Sequence, residues 1–311
     1  SYPYSKFALV ENFWETGYGM PSFTLLGPQV IRFPFILHSS YPHEILHNWW
    51  GNGVFVDYRG GNWAEGLTAY LADHLLREQQ GSGAEHRRDL LQKYTDYVQS
   101  ERDFPLRKFQ SRHSSASESI GYGKALMLFH MLRLELGDEA FTHTLRTFYK
   151  NFRFKRASWD HILHAVNEVN KVDYTSFFSQ WLERAGAPQL QVDGAENIPS
   201  AEKFSTRFNL KQIQSEDPFT IDVPVLLSFA EHPPLSTSVT LDTRKNQFSI
   251  ETPAPAVSIQ IDSQFDIFRR LDSREVPAAL SQGFGAARAT LVLPSQASPA
   301  LRRSYENLAS V

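Results

Sequence analysis

The chain of 311 residues has a composition that excludes several classes of protein. It is 41% hydrophobic and 21% charged, contains no cysteine and carries a formal net charge of -3. Such a charge gives no electrostatic reason to expect nucleic acid as a partner, and no apolar run reaches the roughly eighteen residues of a membrane-spanning helix. Without cysteine, any metal must be held by histidine, aspartate or glutamate. Composition leaves the cellular compartment unknown.

Residues 1–188 are predicted to form a mainly helical domain with a short strand region at its start. Lys6–Val10 reads as an extended segment, and Gly17–Pro34 as loop with some strand. From Ser39 to Ala185 the apolar residues follow helical spacing. The first residues already read as structured sequence, so we expect the chain to be part of a longer protein.

After residue 188 the pattern changes to short alternating strands. Residues 189–283 are predicted to form a small β-sandwich. Residues 284–311 read as a linker and the start of a truncated further domain, with a strand at Ala287–Pro294 and a helix at Ser298–Leu308. The predicted fold class is therefore α+β and multidomain, which agrees with the two or three domains expected for this length.

A His-Glu-x-x-His string at His43–His47 is the first motif that carries chemistry. Side chains four residues apart on a helix share a face, so His43 and His47 can direct their imidazoles at one ion, with Glu44 beside them. A catalytic zinc ion takes three protein ligands and keeps one position for water, whose pKa it lowers towards neutrality. Glu44 is predicted to be the general base that takes a proton from this water.

A third acidic ligand follows at the start of the next predicted helix. Glu65 lies within Trp63–Tyr70, where a new apolar helical pattern begins. A carboxylate here completes a set of His43, His47 and Glu65, and we predict that this set holds one Zn²⁺ ion per chain. The alternative is that Glu65 only interacts favourably with the N-terminus of its own helix.

These residues resemble the gluzincin aminopeptidases, the family of membrane alanyl aminopeptidases and leukotriene-type hydrolases with aminopeptidase activity. The matching residues are His43–Asn52, Glu65–Gly66 and Tyr70. Seventeen residues separate the second histidine from the glutamate, one fewer than in the family, and the loop Gly51–Gly61 can absorb the difference. The resemblance covers roughly residues 5–280 and implies a thermolysin-like catalytic domain followed by a β-sandwich, a zinc ion and peptide substrates.

A second element of that family is a GxMEN strand whose glutamate binds the free amino group of the substrate. The segment Ala8–Asn12 keeps the glutamate and the asparagine of this motif, while Ala8 and Val10 replace its glycine and methionine. The resemblance implies that Glu11 pairs with the substrate ammonium. A carboxylate at a fixed distance from the metal would hold the substrate ammonium so that the first peptide bond lies at the metal. The protein would then be an exopeptidase.

A third element is a downstream tyrosine whose hydroxyl stabilises the oxyanion of the tetrahedral intermediate. Tyr122 matches it, because it lies in Ser119–Leu128 at the head of an apolar helix. A hydroxyl donor directed at developing negative charge contributes to catalysis when water is excluded. The alternative is a tyrosine that packs at the end of a core helix.

Three further polar residues have weaker claims. His38 and His130 are predicted to be hydrogen-bonded boundary or core residues rather than ligands. Asp73 is a candidate to orient a metal ligand by a hydrogen bond without contacting the metal itself. The family also carries a large β-domain ahead of this region. We therefore expect further domains of a longer protein to pack against this chain.

The function predicted from these residues is that of a zinc-dependent aminopeptidase, which removes N-terminal residues from peptides by metal-activated water with Glu44 as general base. Two alternatives stay open. A thermolysin-like endopeptidase uses the same three ligands without an amine-binding carboxylate. The role of Glu11 therefore distinguishes an aminopeptidase from such an endopeptidase. A catalytically impaired, peptide-binding fragment of a larger protein is the second, and loss of Glu44 or of a ligand would indicate it.

Overall fold

A computed structural model describes residues 1–200, 203–286, 288, 290, 292 and 294–309 of the chain. Across these residues, a small mixed sheet comes first, a block of helices second and antiparallel sheets third, and two further helices follow them. None of the helices in the described ranges combines the length and the apolar character needed to cross a membrane.

A small mixed sheet opens the chain and places an edge strand beside the first helix. Strand β1 (Ala8–Glu11) pairs in parallel with β3 (Phe23–Leu26), and β2 (Gly17–Met20) pairs antiparallel with the other side of β3. The sheet order is β1-β3-β2, so β1 and β2 lie on opposite sides of the central strand. Strand β2 contacts helix α1 (Ser40–Leu46).

A block of helices follows, as the apolar periodicity predicts. After α1, the helices in chain order are α2 (Ala64–Ala69), α3 (Leu75–Gln79), α4 (Gly83–Tyr97), α5 (Ser115–Glu118), α6 (Ala125–Leu136), α7 (Asp138–Phe152), α8 (Trp159–Asn170) and α9 (Thr175–Glu183). Short parallel strands β4 (Trp50–Gly51), β5 (Val54–Val56) and β6 (Arg156–Ala157) pair in this order within the block. Gly137 ends α6 with a φ of 78°, which glycine adopts without strain.

Two π-helical turns interrupt the regular helices. Tyr70–His74 continues α2 into α3, and Ser119–Lys124 continues α5 into α6. Such turns bond i to i+5 and occur frequently at functional sites. Asp73 and Tyr122 both lie in them, so the direction of these two side chains depends on a departure from regular α-helix that the apolar pattern does not reveal.

Large aromatic side chains fill the core of the helical block and hold the start of α2 in place. Trp63 is fully buried, and its indole nitrogen donates a hydrogen bond of 2.8 Å to the carbonyl oxygen of Ala157. Its ring packs edge-on against Phe148 with centroids 5.3 Å apart. Burial of ~200 Å² of aromatic surface stabilises a fold by about 5 kcal/mol. Trp63 therefore anchors the chain two residues before Glu65.

Antiparallel strands follow α9. In chain order they are β7 (Leu190–Ser200), β8 (Lys203–Gln212), β9 (Ile221–Ser228), β10 (Leu235–Leu241), β11 (Lys245–Thr252) and β12 (Ser258–Ile261). They form sheets of order β11-β8-β7 and β10-β9-β12, and buried residues of both, such as Phe208 and Val225, belong to one hydrophobic core. The α+β fold class is confirmed. The domain boundaries at residues 188 and 283 stay predictions.

The segment after β12 packs back against the helical block. Phe268 is buried against Tyr94 of α4, with ring centroids 4.6 Å apart, and α10 (Leu280–Gly285) also contacts α4. Helix α11 (Pro299–Ala309) forms where the sequence predicts one. The strand predicted at Ala287–Pro294 lies in part outside the described residues, which omit 287, 289, 291 and 293.

Candidate active site

Two histidines and one glutamate converge at the end of α1. His43 lies in the last turn of that helix, His47 is the residue that follows it, and Glu65 lies in the first turn of α2. The Nε2 atoms of His43 and His47 are 3.5 and 3.3 Å from Glu65 Oε2. One ligand atom from each residue lies within 4.8 Å of the others. This is the arrangement of a metal site with three protein ligands.

The opposite ring nitrogen of each histidine has its own partner. His47 Nδ1 is 2.9 Å from the carbonyl oxygen of Trp50, and His43 Nδ1 is 3.1 Å from Asp73 Oδ2. A carbonyl oxygen only accepts, so His47 Nδ1 carries the proton and Nε2 presents a lone pair to the site. Asp73 favours the same tautomer of His43. The structure thus places Asp73 where the sequence predicts a residue that orients a ligand.

The site carries an excess of negative charge. Burial lowers the pKa of His43, but its hydrogen bonds to Asp73 and Glu65 outweigh this effect and raise the pKa to about 10. Burial raises the pKa of Glu65, but the contacts with both histidines outweigh it and hold the pKa well below its usual range. A cation is therefore stabilised where the Nε2 atoms meet the Glu65 carboxylate, and one divalent ion can contact all three groups.

Glu44 belongs to α1, and its side chain lies between this helix and the edge strand β2. A Cβ atom at position 17 would be only 2.7 Å from Glu44 Oε1, and one at position 19 only 2.5 Å from the Cβ atom of His47. The strand can approach the histidine helix this closely because Gly17 and Gly19 have no side chain. Burial raises the pKa of the Glu44 carboxyl above its usual value, which suits a group that accepts and returns a proton near neutral pH.

Tyr122 faces the same site from the second π-turn. Its ring stacks on that of His43, with centroids 6.2 Å apart and planes inclined by 20°. Burial and the neighbouring Glu65 carboxylate both raise the pKa of the Tyr122 hydroxyl. The hydroxyl therefore keeps its proton and is available as a hydrogen-bond donor.

All of these groups line one cleft of about 1050 Å³. The other polar and glycine residues along its walls include Gly17, Tyr18, Gly19, His38, Tyr58, Gln110, Arg112, Glu118, Arg77, His86 and Lys93. His38 is exposed where it lines the cleft. His130 lies outside the lining, is buried and has its Nε2 atom 2.9 Å from Asp266 Oδ1.

The structure does not bring Glu11 to this cleft. Glu11 ends β1, which β3 separates from the cleft-lining strand β2, and it is absent from the cleft lining among the described residues. Its carboxylate pairs with Arg32 at 3.1 Å, and its side chain is 52% exposed. The role of Glu11 as the anchor for the substrate amine stays a prediction.

Sequence reasoning missed strand β2 as a wall of the site. The alternation Gly17-Tyr18-Gly19 is a usable signal, because glycine within a strand often marks a close approach by another segment. It also missed the π-turns and the charged residues Arg77 and Lys93. No local pattern marks these, because their place at the cleft depends on how α3 and α4 pack.

Comparison with known proteins points to one family. Residues 39–181 match the model of the Peptidase family M1 domain. This part of the chain is therefore similar to an M1 peptidase domain. The matched segment contains His43, Glu44, His47, Glu65 and Tyr122. The resemblance to the gluzincin aminopeptidases is thereby confirmed for this segment.

Curated relatives of this chain are aminopeptidases. It is 22% identical over 218 residues to Aminopeptidase 2, mitochondrial, of Saccharomyces cerevisiae, covering 68% of this chain and 23% of that protein. It is 26% identical over 165 residues to Aminopeptidase N of Lactococcus lactis, covering 49% and 19%, and 24% identical over 192 residues to Glutamyl aminopeptidase of Homo sapiens, covering 59% and 20%. The chain spans about a fifth to a quarter of the length of these relatives.

A solved structure with the same fold is Legionella pneumophila aminopeptidase A in complex with aspartic acid. It aligns with a TM-score of 0.65 at 16% identity and covers 88% of this chain and 32% of that chain. At this identity the likeness shows the fold. The chain thus shares its α+β fold with this structure over most of its length.

Proposed function

We propose that the protein is a zinc-dependent aminopeptidase that hydrolyses N-terminal residues from peptides. The observation that carries the proposal is the convergence of His43, His47 and Glu65 within a cleft of an M1 domain, with one ligand atom of each within 4.8 Å of the others. Because the chain spans only part of the length of its relatives, the activity of the whole protein is itself part of the proposal.

Two imidazole nitrogens and one carboxylate oxygen form a donor set that suits zinc, which binds such ligands with tetrahedral geometry. One Zn²⁺ ion per chain would be held by His43 Nε2, His47 Nε2 and Glu65. When bound, zinc supplies a Lewis acid that polarises a carbonyl group and lowers the pKa of a water molecule. The hydrogen bonds of both Nδ1 atoms support this assignment, because they fix the ring orientations that direct each Nε2 atom at the metal position. His43, with its raised pKa, would give up its Nε2 proton when a metal binds.

Glu44 is the general base of the proposed reaction. It takes a proton from the water that attacks the peptide carbonyl carbon and passes this proton to the nitrogen of the leaving amine. The position of Glu44 next to the ligand helix, against the glycines of β2, keeps its carboxylate at the cleft. Its raised pKa supports both halves of this proton transfer.

Tyr122 stabilises the oxyanion that forms when water adds to the carbonyl group. Its hydroxyl is protonated and lines the same cleft as Glu44. Negative charge on the carbonyl oxygen exists only in the transition state and the tetrahedral intermediate, so this hydrogen bond accelerates the reaction rather than tightening substrate binding.

Specificity for the free amino end rests on the aminopeptidase relatives. A thermolysin-like endopeptidase would use the same ligands, base and oxyanion donor. The two functions differ in how they treat a peptide whose α-amino group is blocked, because only an aminopeptidase requires the ammonium group for binding.

The test combines metal analysis with paired substrates. We expect about one equivalent of zinc per chain, loss of activity with a chelator and recovery with added Zn²⁺. The zinc-loaded protein should hydrolyse leucine anilide and Leu-Gly-Gly while leaving the N-acetylated peptide intact. Cleavage of both peptides at similar rates would favour an endopeptidase, and full zinc loading with no hydrolysis would favour a peptide-binding protein. A zinc content well below one equivalent per chain would contradict the proposed zinc site and with it the proposed function.

Asp73→Asn is expected to weaken zinc binding by about 10- to 100-fold. The amide removes the negative charge that holds the Nδ1 proton of His43, so the ring becomes a weaker and less well oriented ligand. Competition with a chelating dye measures the dissociation constant for zinc. Asp242→Asn, an exposed charge change in the turn after β10, is the matched control. An unchanged dissociation constant in Asp73→Asn would show that Asp73 does not orient the ligand.

A further inference from the structure

We propose that Arg77 and Lys93 form a carboxylate-binding subsite at one end of the cleft, which takes a carboxylate of the peptide on the leaving side of the scissile bond. The proposal rests on the proposed function, because it assigns a role to residues in the same cleft. It adds a substrate class, short peptides with a carboxylate at a set distance from the bond that is cut.

Both cations line the cleft that contains the metal-ligand set. Arg77 lies in α3 and Lys93 in α4, two neighbouring helices. Burial lowers the pKa of His86, and both side chains are near enough to lower it further, while the carboxylates of Asp73 and Asp89 act in the opposite direction. His86 also lines the cleft, and its buried Nε2 atom has no hydrogen-bond partner within the described part of the chain. Two positive charges and one free ring nitrogen thus meet at this end.

Arg77 and Lys93 make no ion pair within the described residues, which sets them apart from the arginines of this region. Within the described ranges, neither has an acidic partner within 4.0 Å. By contrast, Arg112 on the cleft wall pairs with Glu118 at 3.4 Å, and the buried Arg87 pairs with Asp266 at 2.8 Å. A cation that already has a carboxylate partner gains little from a second one. The two unpaired cations are therefore the ones available to a ligand.

The position of Asp73 reinforces this assignment. Asp73 lies one helical turn before Arg77 and would be its natural partner, but its carboxylate contacts His43 instead. Arg77 therefore makes no ion pair although an acid lies one turn away. Positive charge in a cleft concentrates negatively charged ligands there.

The length of the helix sets the distance from the metal ligands. Arg77 follows Glu65 by twelve residues along the continuous α2, π-turn and α3, a rise of roughly 18 Å. Both side chains lean back towards the helix N-terminus, and the longer arginine does so by a few Å more, which leaves a separation of roughly 15 Å. An extended peptide advances ~3.3–3.6 Å per residue, so the subsite would meet a carboxylate about four residues beyond the scissile bond.

Two sources can supply that carboxylate, the C-terminus of a short peptide or an acidic side chain of a longer one. Three pentapeptides with an N-terminal leucine separate them: a free-acid peptide of Leu followed by glycines, the same peptide as C-terminal amide, and an amide with Asp as the fourth residue. Each is tested on the zinc-loaded protein and on Arg77→Gln, Lys93→Gln and the double variant. Lys150→Gln, which removes an exposed charge from α7 outside the cleft, is the matched control.

We expect each single variant to lower kcat/KM for the free-acid peptide by about 3- to 10-fold, mainly through KM, because the cations are exposed and an exposed ion pair is weak. The neutral amide should lose much less, and Lys150→Gln should behave like the wild type. A loss confined to the Asp-containing amide would assign the subsite to an acidic side chain instead. Equal effects on all three peptides, or no effect on any, would overturn the proposal.

A binding measurement separates failure of the subsite from failure of the proposed function. Calorimetry with the zinc-loaded Glu44→Gln variant compares the affinity of the free-acid and amide peptides without turnover. Tighter binding of the free acid, lost in Arg77→Gln, supports the subsite even if the wild type hydrolyses neither peptide. Hydrolysis by the wild type together with equal affinity for both peptides would reject the subsite and leave the aminopeptidase proposal intact.

Discussion

Glu44→Gln is expected to lower kcat by about 10²- to 10⁴-fold, the range that general acid–base catalysis contributes. The amide has nearly the shape of the carboxylate and can occupy the same place beside Gly17 and Gly19, but it cannot accept a proton from water at neutral pH. His43 and His47 are unchanged, so zinc content should stay at the wild-type level. Steady-state kinetics on leucine anilide together with metal analysis give both quantities.

The control for this variant is Glu168→Gln. Glu168 lies on α8 outside the cleft lining, has a side chain that is 47% exposed, and faces His164 at 4.0 Å. It changes charge in the same way without touching the site and should retain wild-type kcat. If Glu44→Gln kept full zinc content and a kcat close to that of the wild type, Glu44 would not be the base.

Tyr122→Phe should reduce kcat by about 10²- to 10³-fold, as the loss of one oxyanion donor does in other hydrolases. The ring remains to stack on His43, so zinc binding and KM should change little. Burial keeps the wild-type hydroxyl protonated, which is why its removal deletes a donor and not a charge. Rates and KM for leucine anilide, with zinc content on the same samples, measure this outcome.

Tyr174→Phe provides the comparison for that change. Tyr174 precedes α9, lies outside the cleft lining and packs against Phe177 with ring centroids 6.4 Å apart. Loss of its hydroxyl should leave kcat as it is. A large rise in KM with unchanged kcat in Tyr122→Phe would instead assign Tyr122 to substrate binding and remove it from transition-state stabilisation.

The metal-ligand set is the part of the site that sequence reasoning predicted best. His43 and His47 are four residues apart, and one helical turn brings such positions to the same side whatever the rest of the fold does. Glu65 begins the next helix with a recognisable apolar pattern. Much of the strand pattern was predictable for a similar reason, because alternation of buried and exposed residues in β8 and β9 is a local property.

The sequence left undecided the parts of the site whose geometry depends on packing between distant segments. Glu11 matches a family motif, yet the sheet order places β3 between it and the cleft. Asp73 reaches His43 because a π-turn changes the direction of the side chains in an otherwise regular helix. Neither a strand order nor a π-turn has a periodic signature in the amino-acid sequence.

The sequence by itself thus determined the candidate chemistry of this protein, namely the predicted ligand set of His43, His47 and Glu65 and the predicted base Glu44. Only the tertiary structure decided which other residues share their cleft. It closes β2 onto Glu44 through two glycines, directs Asp73 to His43 and leaves Arg77 and Lys93 without acidic partners in the described ranges. The physical reason is the separation along the sequence of the residues involved. Helical spacing relates residues within one turn, whereas these contacts arise from the packing of elements far apart in the chain.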